Sequence, residues 1–194
     1  MPITYTNRKG LTYYLCQGVT KTGKPRFYFA REPRGESVEQ IPEGFTISES
    51  VNGVVSLVKS RPSQILPEEV AAVETALKRH GKSRNYRFNV KPDRVEIYER
   101  TGADPQDVAA VFERGGLFLG NVADRIRETM DRHAHFIPIL RFTLTDAERR
   151  TFRVERMCFL GSIDDWISID FGPIDQLAQS LIPRLGTDAF FELH

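Results

Sequence analysis

Two runs of alternating apolar residues, 45–51 (FTISESV) and 54–58 (VVSLV), meet across Asn52-Gly53. No other short stretch restricts the fold so much. Asn and Gly both tolerate positive φ, so the dipeptide predicts a two-residue type I′ turn and an antiparallel hairpin. Residues 11–17 (LTYYLCQ) and 24–30 (KPRFYFA) predict a second hairpin, turning through 18–23 (GVTKTG). Alternation puts Tyr13, Leu15 and Gln17 on one face of its first run, Tyr14 and Cys16 on the other. Pro33, Gly35, Pro42 and Gly44 break residues 32–44 into turns and short extended pieces. Residues 1–58 therefore read as an all-β unit of four or five strands.

The pattern then changes. Residues 59–67 hold two prolines and read as a linker. Pro67, with Glu68 and Glu69 behind it, predicts a helix start. Val70, Val73 and Leu77 form its apolar stripe, and Gly81 is expected to stop it. Tyr86, Phe88 and Val90 alternate, Pro92-Asp93 turns, and Val95 and Ile97 alternate back. Asp104-Pro105 predicts a helix carrying Val108, Val111 and Phe112 and ended by Gly115-Gly116. Another helix runs to about residue 133 with Val122, Ile126 and Met130 on one face. Strands are expected at 136–144, 151–160 and 166–170, with 161–165 as a turn and Trp166 as a core anchor. Helices from Pro173 and Asp188 close the chain.

Strands joined by tight turns pair antiparallel. The helices come between hairpins and not after every strand, so the class is α+β and not a doubly wound sheet. The expected division is an all-β hairpin unit over 1–60 and an α+β domain with an antiparallel sheet and flanking helices over 65–194. Separate cores and one shared core are both open.

Hydrophobic residues make up 40% of the 194 and charged residues 27%, which supports a packed core and argues against global disorder. Net charge is only +1, so bulk charge points to neither nucleic acid nor membrane. The distribution is less even. Residues 1–31 carry six basic and no acidic side chains; 32–77 carry three and eight; 78–100 carry eight and three; 101–194 carry ten and fifteen. Basic and acidic segments packing together would explain this as well as a ligand would. Two distant cysteines, Cys16 and Cys158, give neither a disulfide framework nor a zinc spacing. A reducing cytoplasmic setting is expected, with no signal peptide and no membrane partner.

The acid-free first segment interleaves its cations with aromatics. Single-stranded nucleic acid needs both, cations for phosphates and aromatic faces for bases. The candidate nucleic-acid-binding residues are Arg8, Lys9, Lys21, Lys24 and Arg26 for phosphate, with Tyr14 and Tyr28 for stacking. The alternative is that the aromatics are core and the cations are solvated. RKG at 8–10, YY at 13–14, KTGK at 21–24 and RFYF at 26–29 loosely resemble the three-stranded arm-binding modules of tyrosine recombinases. Those modules pack a helix behind the sheet, and here no helix is expected before residue 67.

An enzyme reading uses His133, His135, Asp164 and Asp165. Two imidazoles and a carboxylate pair would suit a metal-assisted hydrolase if they converged. The spacing matches no metal motif, so no metal or cofactor is assigned; a helix end and a tight turn explain the same residues. A third reading is a protein-interaction module whose basic β unit docks an acidic protein. The segments 4–10 (TYTNRKG), 21–25 (KTGKP) and 41–45 (IPEGF), with 158–166 (CFLGSIDDW) and 185–193 (LGTDAFFEL), resemble an uncharacterised bacterial protein family. That resemblance implies no activity and carries over no site residue.

Overall fold

The computed structural model describes residues 2–114, 122–159 and 164–193. The expected Gly115-Gly116 stop, Leu160 and the turn at 161–163 lie outside them. The fold is α+β, with antiparallel sheets throughout. Two compact units are distinguished. The first runs to Arg61 and takes in Glu128–His133; the second comprises Pro62–Arg127 and the chain from Ala134 on.

In the first unit, β2 (Thr12–Val19) is the central strand. It pairs with β3 (Pro25–Ala30) on one side. On the other side it pairs with β1 (Thr4–Thr6) and then β4 (Glu36–Ser37), placed one after the other. Backbone bonds from Leu15 to Ile3 and from Val38 to Leu15 stitch that edge. The strands β5 (Phe45–Glu49) and β6 (Val55–Lys59) form a separate two-stranded sheet, and β3 packs against β6. Leu15 and Cys16 point to opposite faces, yet both are buried.

Three loops in this unit share one chemistry. In residues 7–11, 20–24 and 50–54 a polar residue stands three places before a glycine. The glycine N–H donates to the carbonyl of that residue (Asn7, Thr20, Ser50) at 2.8–2.9 Å. Its side-chain oxygen accepts the N–H that follows the glycine, in Leu11, Lys24 and Val54, at 2.9–3.1 Å. This is a type I turn followed by a left-handed glycine, which is a three-residue hairpin loop. The type I′ turn expected at Asn52-Gly53 is therefore not formed: Gly53 has φ 79°, but Asn52 is not left-handed. Local bonding to Ser50 and burial of Val51 favour the longer loop. Gly18, expected in the turn, is instead a strand residue opposite Arg26.

The second unit is a five-stranded sheet in the order β11-β10-β9-β8-β7. Its strands are β7 (Tyr86–Lys91), β8 (Arg94–Arg100), β9 (Phe136–Asp146), β10 (Thr151–Phe159) and β11 (Asp164–Gly172). The helices α1 (Pro67–Arg79) and α4 (Ile174–Leu181) pack on each other and on this sheet. Val95, Ile97, Leu140, Phe142, Phe152 and Val154 form one core with Val73, Leu77, Leu177 and Leu181. Proline starts α1, and the Glu69 carboxylate accepts the Leu66 N–H at 2.8 Å. The same carboxylate pairs with Arg150 of the β9–β10 turn. His80 rather than Gly81 ends α1, because its backbone turns extended and its Nδ1 accepts the Lys82 N–H at 3.1 Å.

The helix α2 (Pro105–Arg114) departs from expectation. It buries Pro105 and Ala109, while Val111 and Phe112 are exposed. The helix α3 (Val122–His133) follows, and α5 (Asp188–Phe191) closes the fold by burying Phe190. No described helix is long and apolar enough to cross a membrane.

The loop glycines give a differential test. A Cβ on Gly23 would meet nothing, whereas one on Gly53 would lie 3.0 Å from the Asn7 amide. Gly23→Ala should cost only the left-handed penalty, about 1 kcal/mol. Gly53→Ala should cost visibly more in urea unfolding; equal losses would count against this account of the loop.

Candidate nucleic-acid interface

The β2–β3 hairpin sorts the proposed residues by face. Tyr14 lies opposite Ala30, Cys16 opposite Tyr28 and Gly18 opposite Arg26. Directly opposed residues share a sheet face, so Tyr14, Tyr28 and Arg26 stand together. Phe27, Phe29 and Leu15 occupy the other face.

Beyond this face the 20–24 loop carries Lys21 and Lys24. Lys21, Lys24 and Arg26 are all exposed, and their side chains have no hydrogen bond or ion pair among the described residues. Tyr28 is held in place. Its hydroxyl donates to the Arg34 carbonyl at 3.1 Å. Its ring edge lies over Gly18, where a Cβ would come within 3.3 Å of Tyr28 Cε1. Tyr14 is half-buried.

Arg8 and Lys9 separate from this group. The Arg8 backbone N–H and Nε both donate to Glu49 Oε1, at 2.9 and 2.8 Å. Tyr5 donates its hydroxyl to Glu49 Oε2 at 2.9 Å. The Asn7 amide, buried, donates to the Gly53 carbonyl at 2.6 Å, and the Lys9 stem lies against Gly53. Arg8 thus pins the 7–11 loop to the β5–β6 hairpin, and a ligand would have to compete for it. Burial works against ionisation of Glu49, but the Arg8 N–H, the Tyr5 hydroxyl and the Arg8 guanidinium outweigh it and hold the carboxyl below the usual range.

The residues of the enzyme reading each have a local setting. His133 ends α3, and exposed His135 offers its carbonyl to Thr101. Asp165 and Asp170 on β11 each accept the N–H of the next residue, Trp166 and Phe171, at 2.7 and 2.8 Å. Among the described residues no group of three or more His, Cys, Asp or Glu side chains is placed to hold a metal ion. Cys16 is buried, and Arg156, near Cys158 in sequence, is itself buried and donates to the Leu193 carbonyl.

A second polar cluster escaped the sequence reading. On the face of the five-stranded sheet opposite its core, Glu96 accepts Arg94 Nε, Lys91 Nζ and the Tyr98 hydroxyl at 2.6–2.9 Å. Glu155 takes Arg141 in a bidentate pair, Nε at 2.6 Å and an outer nitrogen at 2.9 Å. Arg141 stacks on Trp166, 4.2 Å from the ring centroid. Trp166 is half-exposed and caps this cluster, so it is not the core anchor expected. The signal was present: Arg94, Glu96, Arg141, Arg153 and Glu155 alternate with core residues along three strands.

No protein-family model, curated protein or solved structure matches the chain.

The Glu49 carboxyl gives a pH test with a defined sign. Its folded pKa is lower than its unfolded one, so its contribution is present above the ordinary carboxylate range, near 4.3. Stability should fall as pH drops through and below that range. In urea unfolding against pH, Glu49→Gln should be less stable at neutral pH and should show a shallower acid-side decline. An unchanged slope would remove Glu49 from the account.

Proposed function

We propose that the first unit is a binding module for single-stranded nucleic acid, engaged through the 20–24 loop and the β2–β3 face beside it. The observation that carries this reading is the unpaired set Lys21, Lys24 and Arg26, exposed at one end of a hairpin whose adjoining face presents Tyr28 and Tyr14. The three cations contact phosphates, and the two rings offer flat apolar area to bases. Arg8 and Lys9 act mainly by fixing the neighbouring loops. Two free cysteines suit a reducing, cytoplasmic setting.

The physical logic is favourable on both sides. Unpaired surface cations lose little on meeting phosphate, and release of counterions drives the association. Tyr28 is already immobilised by Arg34 and Gly18, so stacking on it costs little further side-chain entropy. A base stacked on an aromatic ring contributes about 1–3 kcal/mol.

Fluorescence anisotropy with a labelled oligothymidylate tests the reading. Three phosphate contacts give a log–log salt slope of about −2 for a single strand. Lys21→Glu combined with Lys24→Glu should abolish most of the binding and flatten the slope, without loss of fold by circular dichroism. Failure to bind at low salt, or binding indifferent to the double substitution, would overturn the proposal. If soluble poly-glutamate binds through the same lysines and the oligonucleotide does not, the module docks an acidic protein instead.

A further inference from the structure

We propose that residues 31–37 are a strap that positions the Tyr28 ring, and that Gly35, acting through that ring, makes the hairpin site read bases as well as phosphates. The inference rests on the reading of the first unit as a module for single-stranded nucleic acid and adds how that site selects its ligand. The strap is tied to β2. Glu36 and Ser37 pair with Gln17 and Cys16, and the Val38 N–H donates to the Leu15 carbonyl at 3.3 Å. Tyr28 stands on β3, which pairs with the opposite edge of β2. It lies opposite Cys16, yet its ring edge reaches over Gly18, and its hydroxyl donates to the Arg34 carbonyl of the strap at 3.1 Å. The side chain therefore crosses β2 and is held at both ends.

Two positions must lack a side chain for this crossing. A Cβ on Gly18 would lie 3.3 Å from Tyr28 Cε1, in the space the ring uses. Gly35 is the tighter of the two. Its φ is 79°, and a Cβ there would lie 2.7 Å from the Gln17 carbonyl oxygen and 3.5 Å from the Tyr28 hydroxyl. The first of these neighbours is backbone of the central strand and cannot swing aside. A larger residue at 35 therefore lifts the strap off β2, and the Arg34 carbonyl, one residue before it, moves too. Gly35 acts on the ligand only through Tyr28, which makes it a positioning residue.

The strap supplies position and not charge. Residues 31–37 hold Arg31 and Arg34 against Glu32 and Glu36, with Arg34 3.5 Å from Glu32. Phosphate attraction stays with Lys21, Lys24 and Arg26. The ring contributes differently: Tyr28 keeps part of its surface exposed, and its rotamer freedom is already lost on folding. Stacking a base on it then costs less than stacking on a free side chain. A polyanion without bases gains nothing from such a ring.

Fluorescence anisotropy of the full chain with two ligands of equal length and charge tests this. One is oligothymidylate; the other is an oligomer of abasic tetrahydrofuran sugar-phosphate units. The parent should bind oligothymidylate about fivefold more tightly or better. Gly35→Ala should lower that preference about as far as Tyr28→Ala does, while affinity for the abasic oligomer and the salt slope stay as in the parent. In a Tyr28→Ala background Gly35→Ala should change the preference no further. Tyr28→Phe, which removes only the bond to Arg34, should lower it about twofold or more, and it decides the matter if Gly35→Ala fails to fold by circular dichroism. Equal affinity of the parent for both oligomers would overturn this inference and leave phosphate binding by the hairpin lysines standing. A loss in Gly35→Ala shared equally by both oligomers, or effects of Gly35→Ala and Tyr28→Ala that add, would also overturn it, as would a full preference kept by Tyr28→Phe. No binding of either oligomer at low salt would overturn the underlying reading as well.

Discussion

The two-residue alternation of β8, β9 and β10 is the constraint on which the second unit depends. Val95 and Ile97, Leu140 and Phe142, Phe152 and Val154 all point one way and need a cover. Amphipathic α1 and α4 provide it, and their own stripes are buried in the same act. The alternate positions then have to face away, and there the chain places Arg94, Glu96, Arg141, Arg153 and Glu155. Core and charged cluster are therefore two sides of one periodicity. Register shifts beside Ile97 and Val154 change the phase locally. Phe136 lies under Arg87 and Arg100, and the next residue, Ile137, packs against the core on the opposite face.

In the first unit the organising unit is local. A polar residue three places before a glycine closes each of the three loops, and the strand lengths follow from where those loops fall. One consequence is the separation of cations. Asn7 draws its loop onto Gly53, which delivers Arg8 to Glu49. Among the described residues the 20–24 loop makes no such hydrogen bond to another loop, and Lys21, Lys24 and Arg26 are exposed. Identical loop chemistry thus yields a structural cation in one place and exposed cations in another, because the neighbours differ.

Much of the fold was legible. The hairpins at 86–97 and 45–58, the helix starts at Pro67 and Asp104-Pro105, and the α+β class all follow from turn residues and periodicity. What was misread was local competition. Asn52-Gly53 suggested a type I′ turn, but the Ser50 hydroxyl and buried Val51 recruit one more residue into the loop. Val111 and Phe112 are apolar at helical spacing, but Ala109 and Pro105 make the buried contacts of α2. Asp164 and Asp165, expected in a turn, lie in β11, where Asp165 accepts the Trp166 N–H. The cluster around Glu96 and Glu155 was missed because its two carboxylates stand 59 residues apart in the chain, and charge counted by segment hides charge counted by face.

By itself the sequence determined which segments are strands and helices, that the pairing is antiparallel, and that the first 31 residues carry cations and no acid. Those properties are set by nearest-neighbour chemistry: φ preferences, side-chain periodicity and turn hydrogen bonds. Only the tertiary structure decided which cations are used internally. Arg8 meets Glu49 from 41 residues away, and Arg150 meets Glu69 from 81. Whether a charge is paired depends on a distance of a few ångströms between segments remote in the chain, and no local pattern carries that information.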